Sequence, residues 1–158
     1  MILVVGGMAQ GKRRFAEETV LRGMFGGENA AAGREAACGP VRWADGERAS
    51  FAEFAAAPFG CHFHSLIRRL LAGDSSLMAE EKWLRMADRL ELAGELTDFL
   101  FEQCRDRILV TEEIGCGIIP LDPAERLYRE QAGRVCCRLA EKSEQVWRVF
   151  CGIGGRIK

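Results

Sequence analysis

The sequence predicts an α/β fold, a mostly parallel sheet flanked by helices, on three observations. The runs Ile2 to Val5 and Ile108 to Val110 are short, β-branched and without a polar face, as strands buried on both sides of a parallel sheet must be. Segments of helical period alternate with such runs, and parallel neighbours need crossovers of that kind. Glycines stop both runs, at Gly6-Gly7 and at Gly115-Cys116-Gly117. Two strand ends therefore open into loops at one edge of the sheet, where ligands bind on open α/β sheets.

A length of 158 residues suits one domain spanning residues 1–158. With 48% hydrophobic residues and a formal net charge of -1, the chain is neither a disordered segment nor a broad nucleic-acid-binding surface. Its seven cysteines include no C-x-x-C spacing, so zinc and thioredoxin-like sites are not indicated and reduced thiols in the cytoplasm are expected. The first apolar run is too short for a signal-peptide core, and no stretch approaches the roughly 20 apolar residues of a membrane span. No membrane association is expected.

Taken in order, the strand Ile2 to Val5 leads into a helix from Lys12 to Arg22. Gly23 to Gly39, rich in Gly and Ala without period, reads as a mobile loop. Phe51 to Ala57 reads as a short helix, with Ser50 as N-cap, Glu53 completing a capping box and Pro58 ending it. Phe59 to Phe63 reads as a second inner strand and Ser65 to Leu71 as a helix stopped by Gly73. Apolar residues recur at helical spacing from Met78 to Cys104 (Met86, Leu90, Ala93, Leu96, Leu100), with Gly94 as a candidate bend or break. After the strand Arg107 to Thr111, Asp122-Pro123-Ala124-Glu125 starts a helix that runs to Glu141. Val146 to Cys151 is the last strand, and Gly152-Ile153-Gly154-Gly155 turns it into the tail Arg156 to Lys158.

Gly6-Gly7-Met8-Ala9-Gln10-Gly11-Lys12 fits G-x-x-x-x-G-K between a buried strand and a helix, the phosphate-binding P-loop. Glycines let backbone amides converge on phosphate oxygens, the helix start adds positive potential, and Lys12 neutralises the β and γ oxygens. Gly6, Gly7, Met8, Ala9, Gln10, Gly11, Lys12 and Arg13 are thus the candidate nucleotide-binding residues. Arg13 stands where a Ser or Thr hydroxyl ordinarily meets Mg²⁺. Three readings stand: Mg²⁺ held by water and nucleotide, Arg13 supplying the charge, or nucleotide bound without efficient turnover.

Beyond this loop the chain resembles the adenosylcobinamide kinase/adenosylcobinamide-phosphate guanylyltransferase family of cobalamin biosynthesis. The likeness is carried by Met1-Ile-Leu-Val-Val-Gly-Gly with its P-loop and by Ile108-Leu-Val-Thr-Glu-Glu-Ile-Gly-Cys-Gly-Ile-Ile-Pro120. Arg126-Leu-Tyr-Arg129, Ala132-Gly-Arg134, and Cys151-Gly-Ile-Gly with Ile157-Lys158 follow in family order. The resemblance implies a P-loop NTPase-like, RecA-like fold, ATP or GTP as donor, a corrinoid acceptor and a homo-oligomer, a trimer in the family. Family members phosphorylate adenosylcobinamide and then transfer a guanylyl group through a histidine. Pro40-Val-Arg-Trp43-Ala-Asp-Gly-Glu47 matches the segment that follows that histidine, yet no histidine lies between Met1 and Cys61.

His62 and His64 are the two histidines of the chain, placed here at the end of the second inner strand and on one side of it. His64 is the candidate nucleophile or base, against the alternative of a histidine that bonds a carbonyl or caps a helix. A two-histidine metal site has no third ligand nearby in sequence, so no metal site is assigned. Glu112 and Glu113 follow a buried strand, where P-loop enzymes place an acid that orients Mg²⁺ water or the attacking hydroxyl. Neighbouring strand residues face opposite sides, and Glu113, the match to the family glutamate, is favoured. Arg126, Arg129 and Arg134 lie at roughly 0°, 300° and 80° around their helix, either as a phosphate-binding face or as partners of Glu125 and Glu130. Cys136-Cys137 reads as helix packing.

Two functions fit these residues. One is a nucleotide-dependent kinase resembling adenosylcobinamide kinase, with Lys12 and the loop amides on the triphosphate and Glu113 organising metal or acceptor. The other is a non-catalytic nucleotide-binding module that serves regulation or assembly.

Overall fold

A computed structural model describes residues 1–21, 41–86 and 91–158. The expected loop Gly23 to Gly39, Arg22, Pro40 and Leu90 lie outside the described residues.

The strands are β1 (Ile2–Gly6), β2 (Ala44–Asp45), β3 (Phe59–Cys61), β4 (Ile108–Glu112), β5 (Gln145–Phe150) and β6 (Ile153–Arg156). The helices are α1 (Lys12–Phe15), which continues as a π-helical stretch Ala16–Leu21, then α2 (Phe51–Ala56), α3 (Phe63–Leu71), α4 (Glu81–Met86), α5 (Leu92–Gln103) and α6 (Pro123–Lys142). They build one six-stranded sheet in the order β2-β3-β4-β1-β5-β6. All pairings are parallel except β5 with β6. The α/β class with a mostly parallel, helix-flanked sheet is therefore the observed architecture.

The centre of the sheet shows why Ile2 to Val5 needs no polar residue. Ile2 and Val4 pack on one face with Phe15, Ala16, Val20, Ile108, Val110 and Val149. Leu3 packs on the other with Leu109 and Val146, beneath Phe54, Phe63, Leu66, Leu96 and Val135. A strand covered on both sides gains from burying every side chain, at about 25 cal/mol for each Å² of apolar surface.

Local start signals act as their chemistry dictates. Ser50 caps α2: its hydroxyl accepts from the Glu53 amide at 3.3 Å, and the Glu53 carboxylate accepts from the Ser50 amide at 2.9 Å. Asp122 accepts from the Ala124 amide at 2.9 Å, with Pro123 at the first helical position.

Three expectations are corrected, and one strand is added to them. The second inner strand stops at Cys61, and α3 starts at Phe63 rather than Ser65, because His62 turns left-handed at φ 51°. The stripe from Met78 to Cys104 is two helices, α4 and α5, with Gly94 inside α5; residues 87–90 lie outside the described residues. The glycine-rich tail is a strand, since Cys151 (φ 49°) and Gly152 (φ 80°) make a hairpin that returns Ile153–Arg156 along β5. Finally, the two residues of β2 carry too short a pattern to be read locally, and they pair with Gly60 and Cys61.

Candidate functional site

The carboxyl ends of β1, β3 and β4 meet the start of α1. There Gly11, Lys12, Arg13 and Arg14 line a pocket of about 200 Å³ together with Cys61, His62, His64 and Glu112.

The loop from Gly6 to Lys12 owes its shape to close backbone approach. A Cβ on Gly6 would lie 2.3 Å from Val149 O, so β1 can run beside the end of β5 only with glycine there. Gly11 caps α1 at φ 75°, a conformation that favours glycine. The loop is fastened from the far end of the sheet. Gln10 Oε1 accepts from the Cys151 amide at 2.6 Å, and Gln10 O accepts from the Gly152 amide at 2.9 Å. The Gln10 side chain therefore braces the loop against the β5–β6 hairpin.

Lys12 is only 8% exposed. Its Nζ donates to Gly7 O at 2.6 Å and stands 3.5 Å from Glu112 Oε1. An ammonium with three donors and two such partners keeps capacity for an anion in the pocket. Arg13 leans to the side, donating to Glu17 Oε1 at 3.2 Å with its guanidinium over Trp43 at 5.7 Å. Trp43 Nε1 donates to the same Glu17 oxygen at 2.6 Å.

The two glutamates after β4 diverge, and Glu112 rather than the favoured Glu113 lies beside the lysine. Glu112 lines the pocket, between Lys12 and His64 Nε2, which is 3.8 Å from Glu112 Oε2. Glu113 accepts from Arg148 at 3.0 Å and from Cys116 Sγ at 3.5 Å. Which of two adjacent strand residues turns inward depends on the sheet face that α1 covers, and one strand read alone does not contain it.

The histidines do not share a strand. His62 occupies the turn after β3, and His64 lies in the first turn of α3, with ring centroids 6.1 Å apart. His64 is 13% exposed at its side chain. Burial lowers its pKa below the ordinary 6.5, the Glu112 carboxylate opposing. Its Nδ1 is buried with no hydrogen-bond partner among the described residues. His62 is 44% exposed, and its Nδ1 is 2.9 Å from Asp45 Oδ1. The structure thus supplies what the sequence lacked near the histidines, because Asp45, Cys61 and His62 offer ligand-type atoms within 4.8 Å of one another. Burial pushes the Cys61 thiol up to about 11, and Asp45 already bonds His62 and the Glu47 amide. In the sequence Asp45 is only part of the Pro40 to Glu47 segment, with no role of its own; the pairing of β2 with β3 brings it to His62.

The arginines of α6 serve its own loop. Arg126 donates to Pro120 O at 3.1 Å and Leu121 O at 2.6 Å, and Arg129 donates to Ile118 O at 2.6 Å. Arg134 pairs with Glu130 at 2.7 Å, while Glu125 is held by Arg68 through two bonds of 2.7 and 3.0 Å. The shared phosphate-binding face is not assembled by these contacts.

Among the described residues no helix is long and apolar enough to cross a membrane. A family model described as cobinamide kinase / cobinamide phosphate guanyltransferase matches residues 67–157, from within α3 to the end of the hairpin. The bifunctional adenosylcobalamin biosynthesis protein CobU of Salmonella typhimurium is 30% identical over 183 residues, covering 100% of this chain and 99% of that protein. The Escherichia coli K12 protein of the same name is 47% identical over 51 residues, 32% of this chain and 28% of its own length. The family match takes in more than half of the residues, and the Salmonella likeness spans the phosphate loop as well, so the chain belongs to the cobinamide kinase / cobinamide phosphate guanyltransferase family.

Proposed function

We propose that this chain is a nucleotide-dependent phosphotransferase that moves the γ-phosphoryl group of ATP or GTP to the hydroxyl of adenosylcobinamide or a related corrinoid. The observation that carries this reading is Lys12, buried at the mouth of α1 between Gly7 O and Glu112, with donor capacity turned to a pocket rimmed by the loop. Phosphoryl transfer asks chiefly for positioning and charge neutralisation. Lys12 and the loop amides would take the β and γ oxygens, and Glu112 takes over the role expected of Glu113. Glu112 is the one carboxylate lining that pocket among the described residues, so it is the group to hold the water shell of Mg²⁺. Mg²⁺ would supply charge neutralisation on the phosphates, and Arg13, engaged with Glu17, offers no hydroxyl to it.

Kinase rather than guanylyl transfer is the activity proposed, because no histidine stands between Met1 and Cys61 to carry GMP. Exposed Ile118, Ile119 and Leu121 on one loop and Phe150, Ile153 and Ile157 on the hairpin support a homo-oligomer in which such surfaces are covered. The setting proposed is the cytoplasm.

The test is transfer of labelled γ-phosphate to adenosylcobinamide by the native chain and by Lys12→Ala. The native chain should turn over, and the variant should lose about 100-fold or more in kcat. The alternative, a nucleotide-binding module without catalysis, is favoured by Arg13 in place of a hydroxyl, by the absent loop histidine and by the short variable middle. Tight nucleotide binding with no product at any Mg²⁺ concentration would establish it and refute the kinase.

A further inference from the structure

Next to the phosphate loop stands a second pair of groups that phosphate binding does not use. Asp45 ends β2 in register with Cys61, the last residue of β3, so the residue that follows, His62, is brought against it. Four hydrogen bonds fix this corner. The Gly46 amide donates to Cys61 O at 2.9 Å, and a Cβ on Gly46 would meet His62 O at 2.2 Å, so glycine is required for the approach. Arg69 donates to Gly46 O at 3.0 Å and Ala49 O at 2.8 Å, tying the turn to α3. Asp45 Oδ1 also accepts from the Glu47 amide at 2.9 Å. His62 itself sits at φ 51°, which costs about 1–2 kcal/mol for an L-residue and is sustained by these bonds.

A carboxylate on Nδ1 sets the tautomer of a neutral imidazole: Nδ1–H donates to Asp45 and Nε2 keeps its lone pair. The His62 ring is half exposed and lines the same pocket as Lys12 and Glu112. With Lys12 assigned to the β and γ oxygens, contacts run from Lys12 to Glu112 at 3.5 Å, from Glu112 to His64 at 3.8 Å, and from His64 to His62 at 6.1 Å between ring centroids, so His62 stands on the same pocket beyond the lysine.

The geometry points to His62, oriented by Asp45, as the proton acceptor for the hydroxyl that attacks the γ-phosphorus. This assignment rests on the phosphotransferase reading above. As the acceptor oxygen bonds to phosphorus, the bond from phosphorus to the β,γ-bridging oxygen breaks, the hydroxyl proton passes to His62 Nε2, and the nucleoside diphosphate leaves with the bridging oxygen. The exposed imidazolium then returns the proton to water. Asp45 is a positioning residue, and its acidity suits the part. Burial opposes its charge, yet the Glu47 amide and His62 hold its carboxyl below the ordinary value.

His64 is the weaker choice for this step, since its Nδ1 is enclosed and its Nε2 faces Glu112. The charged surroundings of His62 are Asp45 and Glu47 from the β2 end, Cys61 from β3, and His64 from α3. Lys12 and Arg13 face it across the pocket from α1, and Glu112 from β4. Of these His64 alone is a second imidazole, so a control variant separates the two.

The experiment measures transfer to adenosylcobinamide against pH, together with calorimetric binding of a non-hydrolysable ATP analogue, for the native chain, His62→Gly, Asp45→Asn and His64→Gln. Glycine accepts the left-handed backbone at position 62 without strain. His62→Gly should bind the analogue within about twofold of native, lose about 100-fold or more in kcat, lose the fall in rate on the acid side, and regain rate with added imidazole. Asp45→Asn should lower kcat, with KM for nucleotide unchanged, and displace the acid limb. Native-like turnover in His62→Gly, an acid limb that vanishes in His64→Gln instead, or a phosphorylated His62 trapped on the native chain would each overturn the assignment. So would stoichiometric zinc on the purified protein that His62→Gly releases. If the native chain binds the analogue and transfers nothing, the phosphotransferase reading falls as well, an outcome distinct from turnover that ignores His62.

Discussion

Gly6→Ala tests how closely the phosphate loop depends on the sheet beneath it. The added methyl would lie 2.3 Å from Val149 O and 3.4 Å from Lys12 Cδ. Real contacts of this kind begin near 3.0 Å, so β1 and β5 must part by roughly 0.7 Å, and the obstacle is a backbone carbonyl that cannot rotate aside. Overpacking of this sort costs about 1–3 kcal/mol, and loosening the bond from the Glu113 amide to Gly6 O, 3.2 Å long, adds about 1 kcal/mol. A total of about 2–4 kcal/mol lowers Tm by about 5–15 °C for a chain of this size. Lys12 moves with the strand, and a misplacement of about 1 Å costs on the order of 100-fold in rate. Circular dichroism melts and the phosphate-transfer assay read the two effects. Gly133→Ala is the control: it lies inside α6, and a Cβ there meets nothing within 4 Å, so it should gain about 0.5–1 kcal/mol. A Gly6→Ala protein that melts and binds nucleotide like the native chain would refute the reasoning.

Burial holds His64 below its ordinary pKa of 6.5, so as pH falls through that value the unfolded chain takes a proton that the folded chain resists. Stability is therefore fully present above pH 6.5 and declines below it, and urea midpoints of native and His64→Gln proteins should converge on acidification; an unchanged gap would contradict this. Cys61, pushed up to about 11 by burial, should alkylate about 100-fold more slowly at pH 8 than an ordinary thiol, whereas exposed Cys116 and Cys151 label first, as peptide mass spectrometry would show. Arg69 joins α3 to Gly46 O, Ala49 O and Asp74, the last at 2.7 Å; Arg69→Ala should cost about 2–4 kcal/mol by urea denaturation, and a loss below about 0.5 kcal/mol would count against the anchoring role.

What could be read in the sequence was what is local. Ile2 to Val5, Ser50 with Glu53, and Asp122 with Pro123 carry their instructions within a few residues, and the strand, the capping box and the helix start form where those instructions stand. The loop from Gly6 to Lys12 is likewise a local string, and its position between β1 and α1 follows from it. What escaped was set by partners distant in sequence. Glu112 rather than Glu113 meets Lys12 because β4 lies beside β1 with Gly6 opposite Glu112. His62 leaves the strand early because Gly46 and Asp45 dock on it. The β6 hairpin escaped for a different reason: glycine-rich sequence reads as a turn, and only its pairing with β5 makes it a strand.

The fastening of Gln10 to Cys151 and Gly152 has a consequence for synthesis. The segment proposed to hold phosphate follows β1, whose two neighbours are residues 108–112 and 145–148, so its platform closes only after contacts across most of the polypeptide have formed. A nascent chain emerging from the ribosome would carry the glycine-lysine string long before it could hold a ligand, and truncation ahead of residue 145 should yield fragments that leave the cellular pool of nucleoside triphosphates untouched.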